Sequence, residues 1–230
     1  MSDCQSCAVR NRAICAGLDK NEIAALGKLG RVLHVSAGHA LMWEGDESLV
    51  VANVIDGVFK MSVSGADGKE QIVGVVFPSD FIGRPFGENS PYSVTALTDG
   101  SVCVFGRRSF DSFAREHPDL EHKLLSRTLD ELDNARRWMQ LLGRKSAEEK
   151  IASFLLFISN KLAGQACGVQ PAQNGFLLPF GRKEIADILG LTIETVSRQL
   201  TRMQEDGLIS LPSRRNIIFN NRRLLEQIAA

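Results

Sequence analysis

Residues 182–201, RKEIADILGLTIETVSRQLT, restrict the fold more than any other stretch of this chain. Ile185, Ala186 and Leu189 form one apolar helix stripe, and Gly190 supplies the φ > 0 position of a tight turn between helices. Thr192 is an N-cap for the next helix, with Glu194 in its first turn. There Val196, Leu200 and Met203 share one face, leaving Glu194, Ser197, Arg198, Thr201 and Arg202 on the other. A small fifth residue, a glycine at the ninth place and apolar residues at places 4, 8, 10 and 15 are what helix-turn-helix packing requires. Arg bonds O6 and N7 of guanine, Glu accepts from the cytosine amino group, and Ser serves either kind of group. On one helical face, these side chains reach one short stretch of major groove.

The following residues 208–219, LISLPSRRNIIF, read as a hairpin wing whose tip carries Arg214 and Arg215, suited to phosphates. The charge distribution agrees. The chain has 27 Lys+Arg and 27 Asp+Glu. Residues 1–143 hold 15 basic and 19 acidic side chains (−4), and residues 144–230 hold 12 and 8 (+4). The basic end suits an anionic partner. At 230 residues, 44% hydrophobic and 23% charged, the chain suits two soluble globular domains.

Between Arg31 and Arg107 short β-rich runs recur: RVLHV, ALMWEG, VVANVIDG, VFKMSV, QIVGVVF and SVTAL. Turn signals separate them at Ala37-Gly38, Asp56-Gly57, Ser64-Gly65, Asp67-Gly68 and Asp99-Gly100. This spacing predicts an antiparallel sandwich, roll or barrel. From Pro118 the pattern is helical. Leu125, Thr128, Leu132, Ala135, Met139 and Leu142 recur at heptad spacing. With 125, 132 and 139 at a, Glu131 falls at g and Arg136 at e, so the two face each other in a parallel pair of copies. The other reading is a core helix packed on its own sheet. Residues 143–163 predict a second helix with Ser146 as N-cap and Glu149 completing a capping box. Residues 164–175 read as a loop.

Cys4, Cys7 and Cys15 form C-x2-C-x7-C, and Cys103 lies in the strand-like GSVCVF. Four thiolates suit an iron–sulfur cluster or tetrahedral zinc, and spacing alone leaves both open, together with no metal at all. No apolar run reaches membrane-spanning length and no signal peptide is recognised, so a cytoplasmic location is expected, where disulfides are rare. Cys167 has no cysteine neighbour in sequence and reads as an incidental or redox-sensitive thiol. His34, His39, His117 and His122 are scattered and offer no compelling haem ligand. No catalytic motif is recognised, and an enzyme is not expected.

A β-rich front, a long pairing helix and a winged helix-turn-helix together resemble the CRP/FNR family of bacterial transcription regulators over essentially the whole chain. The run LGLTIETVSRQL is similar to the family's recognition helix, and Glu194, Ser197 and Arg198 follow the E-x-x-S-R arrangement of the FNR branch. TLDELDNARRWMQLLGRKSAEEKIASFLL is similar to FNR-type regulators of alphaproteobacteria.

The resemblance implies an α+β chain with an N-terminal antiparallel β-roll (cyclic-nucleotide-binding-like), a long dimerisation helix and a C-terminal winged helix-turn-helix. Its divisions are a cysteine loop and short helix (1–30), the roll (31–117), the dimerisation helix (118–143) and the DNA-binding domain (144–230). It implies a homodimer that reads TTGAT-N4-ATCAA-like palindromes and activates transcription through RNA polymerase, with the Gly83–Tyr92 loop as a contact surface. It also implies an oxygen-labile [4Fe-4S] cluster on Cys4, Cys7, Cys15 and Cys103. The alternative is the same regulator with structural zinc or no cofactor, controlled by abundance or Cys167 oxidation. Cyclic-nucleotide binders of the family carry a Glu and an Arg-Ser/Thr-Ala where SDFIGRPFGENSPYSVTAL places Asp80 and Ser90-Pro91-Tyr92. Without that Arg a buried cyclic phosphate would lie unpaired, so no cyclic nucleotide is expected. Ala135 replaces an acid that some related regulators place mid-seam, which favours the dimer.

Overall fold

The computed structural model describes residues 4, 6–68, 70–163 and 175–230. The loop read at 164–175 and Cys167 therefore fall outside the described residues, apart from Gly175. Two compact units emerge, residues 1–133 and 134–230.

The first unit opens with the cysteine-bearing segment, which ends in a 3-10 turn (Ile14–Gly17). Helix α1 (Lys20–Leu29) follows, started by a full capping box in which the Asp19 side chain accepts from Asn21 and Glu22 while Glu22 reaches back to the Asp19 N–H. Eight strands come next: β1 (Gly30–Val35), β2 (Ala40–Met42), β3 (Val50–Asp56), β4 (Phe59–Ser64), β5 (Glu70–Val76), β6 (Phe81–Ile82), β7 (Ser93–Ala96) and β8 (Gly100–Gly106). They form two four-stranded antiparallel sheets, ordered β1-β8-β3-β6 and β2-β7-β4-β5. Helix α2 (Arg107–Glu116) and the 27-residue α3 (Pro118–Arg144) complete the run.

Strand alternation decides what each face holds. Ala52 and Val54 of β3 and Val102 and Val104 of β8 point at Phe59, Val94 and Ala96 of the second sheet, making the core between the sheets. The intervening residues, Val51, Cys103 and Phe105, face the other way, toward Ile23 and Leu26 of α1, Phe110 and Phe113 of α2 and Leu120 of α3. β8 is thus apolar on both faces.

The second unit contains α4 (Ala147–Ala163), β9 (Gly175–Leu177), α5 (Arg182–Leu189), α6 (Ile193–Glu205), β10 (Ile209–Ser210), β11 (Asn216–Phe219) and α7 (Arg222–Ile228). Ile151, Phe154 and Leu155 of α4 join Leu189, Leu200 and Met203 in the buried interior of this unit. The three short strands pair in the order β10-β11-β9.

Most expected elements are present, with four differences. The helix read from 143 starts at Ala147: Ser146 N–H donates to Glu149 Oε2 at 2.7 Å and Ser146 Oγ accepts from Glu149 N–H at 3.4 Å, so the cap itself sets the start. Helix α2 fills the interval between the β-rich stretch that ends at Arg107 and the helical pattern that begins at Pro118, where no element is predicted because its apolar residues are few beside its charges. β6 and β9 are too short to leave a periodic signal. Asp99-Gly100 is not a φ > 0 turn: a Cβ on Gly100 would lie 2.5 Å from the Asp56 carbonyl oxygen, so glycine is needed there for close backbone approach.

Candidate nucleic-acid interface and cysteine site

The turn between α5 and α6 is made by Gly190, which sits at φ 61°, ψ 42° and donates its N–H to the Ala186 carbonyl. The Thr192 side chain then accepts from the Thr195 N–H at 3.2 Å and caps α6. Val196, Leu200 and Met203 are buried, which fixes the rotation of α6 and turns Glu194, Arg198, Thr201 and Arg202 to solvent, with Ser197 half-buried beside them. Thr192 itself is exposed at the end of the helix. Hydrogen bonds from its own backbone N–H and from Thr192 hold the Glu194 carboxyl below the usual value, so it is a ready acceptor. Arg202 Nε lies 3.7 Å from Asp206 Oδ2, one turn along.

The wing is present as the β10–β11 hairpin, with exposed Arg214 and Arg215 in its turn. β11 pairs with β9 on its other side, and the Leu178 N–H donates to the Arg215 carbonyl at 2.7 Å. That pairing carries the chain from the wing's edge into the start of α5.

Two residues missed by sequence reading join the surface. Arg182, at the first position of α5, has a buried Nη1 without a hydrogen-bond partner, and burial together with the Arg214 charge pulls its guanidinium below its usual value. Two neighbouring guanidinium groups with an unmet buried donor suit a phosphate. Only tertiary pairing of β9 with β11 brings them together, so spacing held no signal. Ile193, 44% exposed beside Glu194, offers an apolar surface suited to a thymine methyl.

The seam residues of α3 are exposed. Leu125 is 57% exposed and Met139 73%, Leu132 and Leu142 are also open, and Thr128, Glu131, Ala135 and Arg136 lie on the solvent side. Leu129, absent from the predicted stripe, adds a further exposed leucine. The apolar stripe is not spent on the chain's own sheet. Its buried anchor is Leu120, one turn earlier.

None of the four described cysteines is joined in a disulfide. Cys4 and Cys15 pack against the apolar cluster that contains Cys103, on the helical side of the β1-β8-β3-β6 sheet. Burial first, then the neighbouring Cys7 and Cys4, push the Cys15 thiol up to about 11, so Cys7 and Cys4 each lie within electrostatic reach of Cys15. A Cβ on Gly30 would lie 2.6 Å from the Phe105 ring and 3.2 Å from Cys103 Sγ, so glycine there makes room on the β1 side first for Phe105 and then for the sulfur. Among the described residues no three His, Cys, Asp or Glu side chains converge as a site for one metal ion. Four soft sulfur donors without carboxylate or imidazole nevertheless fit a thiolate-held cluster, whose several metal atoms spread their ligands more widely than one ion does.

A cavity of about 300 Å³ lies between the roll and the first half of α3, lined by Phe81, Phe86, Tyr92, Glu121, Arg127 and Glu131 among others. Its one guanidinium, Arg127, faces Asp80 at 3.9 Å, and Arg84 is exposed.

Residues 32–117 match the cyclic nucleotide-binding domain family and residues 149–228 the Crp-like helix-turn-helix domain family. The chain is 43% identical over 225 residues to the transcriptional activator protein FnrL of Cereibacter sphaeroides, covering 97% of this chain and 91% of that one. The chain belongs to the CRP/FNR family of transcription regulators. It is 38% identical over 208 residues to the nitrogen fixation regulation protein FixK of Bradyrhizobium diazoefficiens, covering 90% and 86%. The solved structure of FixK2 from Bradyrhizobium japonicum superposes with a TM-score of 0.79 at 30% identity, covering 87% of this chain and 98% of that one. As a CRP/FNR regulator the protein is not an enzyme, and its helix-turn-helix is a DNA-binding element. No helix among the described residues is long and apolar enough to cross a membrane.

Proposed function

We propose that this CRP/FNR regulator is an oxygen- or redox-responsive transcription activator that works in the cytoplasm as a homodimer. Its recognition helices read a TTGAT-N4-ATCAA-like palindrome through Glu194, Ser197 and Arg198. The observation that carries the sensing part of this reading is that Cys4 and Cys15 pack on the cluster holding Cys103. Cys4, Cys7, Cys15 and Cys103 would hold a [4Fe-4S] cluster, which when bound supplies an oxygen-reactive redox centre.

The chain's own residues do the rest. The exposed stripe of Leu125, Leu129, Leu132, Met139 and Leu142 pairs with the same stripe of a second copy, which sets two α6 helices about 34 Å apart on one face of the duplex. Each half-site alone binds weakly, so loosening the seam removes most of the affinity. Cys4, Cys7 and Cys15, held with Cys103, would keep the loop on the roll beside the start of α3, where Cys4 and Cys15 already pack. The cavity between roll and α3 carries two carboxylates and one guanidinium already facing Asp80, which disfavours a cyclic phosphate. RNA polymerase is the further partner. Phe86, exposed at φ 59° and held by its N–H on Asp111 Oδ1 at 3.1 Å, gives the Gly83–Tyr92 loop a fixed aromatic contact.

The test is to purify the protein without air, assay iron and acid-labile sulfide, then admit air while recording visible absorbance. About four irons and four sulfides per chain, with absorbance that bleaches in air, is the expected result. Stoichiometric zinc, or metal-free protein from iron-replete cells, would overturn the sensing reading and leave the DNA-binding regulator in place.

A further inference from the structure

The cysteine segment meets α3 in two ways. Leu120 and Leu124, on the first turns of α3, belong to or pack against the apolar cluster that includes Ile14, Leu18 and Cys103. That contact has no direction. The second contact is directional. Arg127 Nη2 donates to the main-chain carbonyl of Arg12, which lies between Cys7 and Cys15, while Nη1 of the same group lies 3.9 Å from Asp80 Oδ1. Asp80 belongs firmly to the roll. Its carboxylate accepts from the Phe77 N–H at 3.0 Å, and its carbonyl accepts from the Val54 N–H of β3 at 3.0 Å. A planar guanidinium fork is suited to hold two acceptors at once.

Arg127 therefore ties Arg12 of the cysteine segment and Asp80 of the roll to α3, three positions remote from one another in sequence. Its place on the helix matters as much. At 100° per residue Arg127 projects from the side of α3 opposite Leu125, Leu129 and Leu132. Whatever fixes its side chain fixes the rotation of α3 about its own axis, and hence the direction in which those leucines point.

We propose that Arg127 is the positioning residue through which the cysteine segment sets the rotation of α3 and thereby the strength of pairing between two copies. The proposal rests on the cluster reading above. With the segment seated, Arg127 holds its hydrogen bond to the Arg12 carbonyl together with its ion pair to Asp80. When it leaves, Arg127 keeps only the long ion pair to Asp80, and α3 is free to turn.

The experiment compares wild type, Arg127→Met and Arg127→Lys as full-length proteins purified without air. Iron, sulfide and visible spectrum are recorded, and dimer dissociation is measured by sedimentation before and after air. Arg127→Met should carry wild-type iron and sulfide, yet its dissociation constant without air should rise roughly tenfold to a hundredfold, the scale of losing a charge-assisted hydrogen bond. The ratio of its constants with and without air should fall toward one, and Arg127→Lys should recover part of it. A residue that merely supports the fold would shift both constants and leave their ratio alone. That result, or an Arg127→Met protein that pairs as wild type in both conditions, overturns the proposal. So does an Arg127→Met protein that cannot retain iron, since Arg127 would then only hold the segment in place. Wild type lacking iron, or pairing equally with and without air, would instead bring down the cluster reading, and the proposal with it.

Discussion

Glu194 is exposed, its carboxyl is held below the usual value by hydrogen bonds from its own N–H and Thr192, and the burial of Val196 and Leu200 sets it on α6. Glu194→Ala should cost about 1–3 kcal/mol of discrimination at the base pair it reads, and little elsewhere in the site. Binding to half-sites varied one position at a time measures this. Arg182 and Arg214 call for the opposite pattern. Burial and the neighbouring Arg214 charge both disfavour the charged Arg182 guanidinium, and one phosphate between the two groups relieves it. Arg182→Gln should weaken binding by a similar factor on every sequence and lower the slope of log affinity against log salt by about 1. A salt titration on specific and scrambled duplexes separates the two behaviours. Glu194 was legible because its neighbours in sequence place it. Arg182 was not, because its partner is 32 positions away and meets it through β9 and β11.

The helix-turn-helix depends on one left-handed residue. A Cβ on Gly190 would meet nothing within 4 Å, so Gly190→Ala should cost only the conformational penalty, about 1–2 kcal/mol. Gly100→Ala should cost more, because its Cβ would press on the Asp56 backbone at 2.5 Å. Thermal melts of both variants check the order. On α3, Leu132→Asp should abolish pairing and palindrome binding with or without air, since it places a charge in the middle of the exposed stripe. Sedimentation and DNA binding report it together, and a variant that bound the palindrome normally would show that another surface pairs the copies. The heptad spacing foretold most of this stripe but omitted Leu129. A strict a/d reading passes over it, while a straight helix of 3.6 residues per turn places it on the same side.

Across the whole chain, the sensing reading turns on whether distant thiols act as one set. Cys103→Ala should remove iron retention and air sensitivity while leaving a folded helix-turn-helix, measured by iron assay and by circular dichroism. By itself the sequence determined the order of the main elements, the two-part division of charge, the solvent-facing residues of α6 and the apolar stripe of α3. These follow from periodicities of two and 3.6 residues and from turn chemistry, all of which act between near neighbours. Only the tertiary structure decided which side of β8 Cys103 faces, that Cys4 and Cys15 pack on that same side, and that Arg127 reaches both Arg12 and Asp80. Those facts depend on how sheets and helices stack, and stacking is governed by shape and burial between residues that share no local pattern.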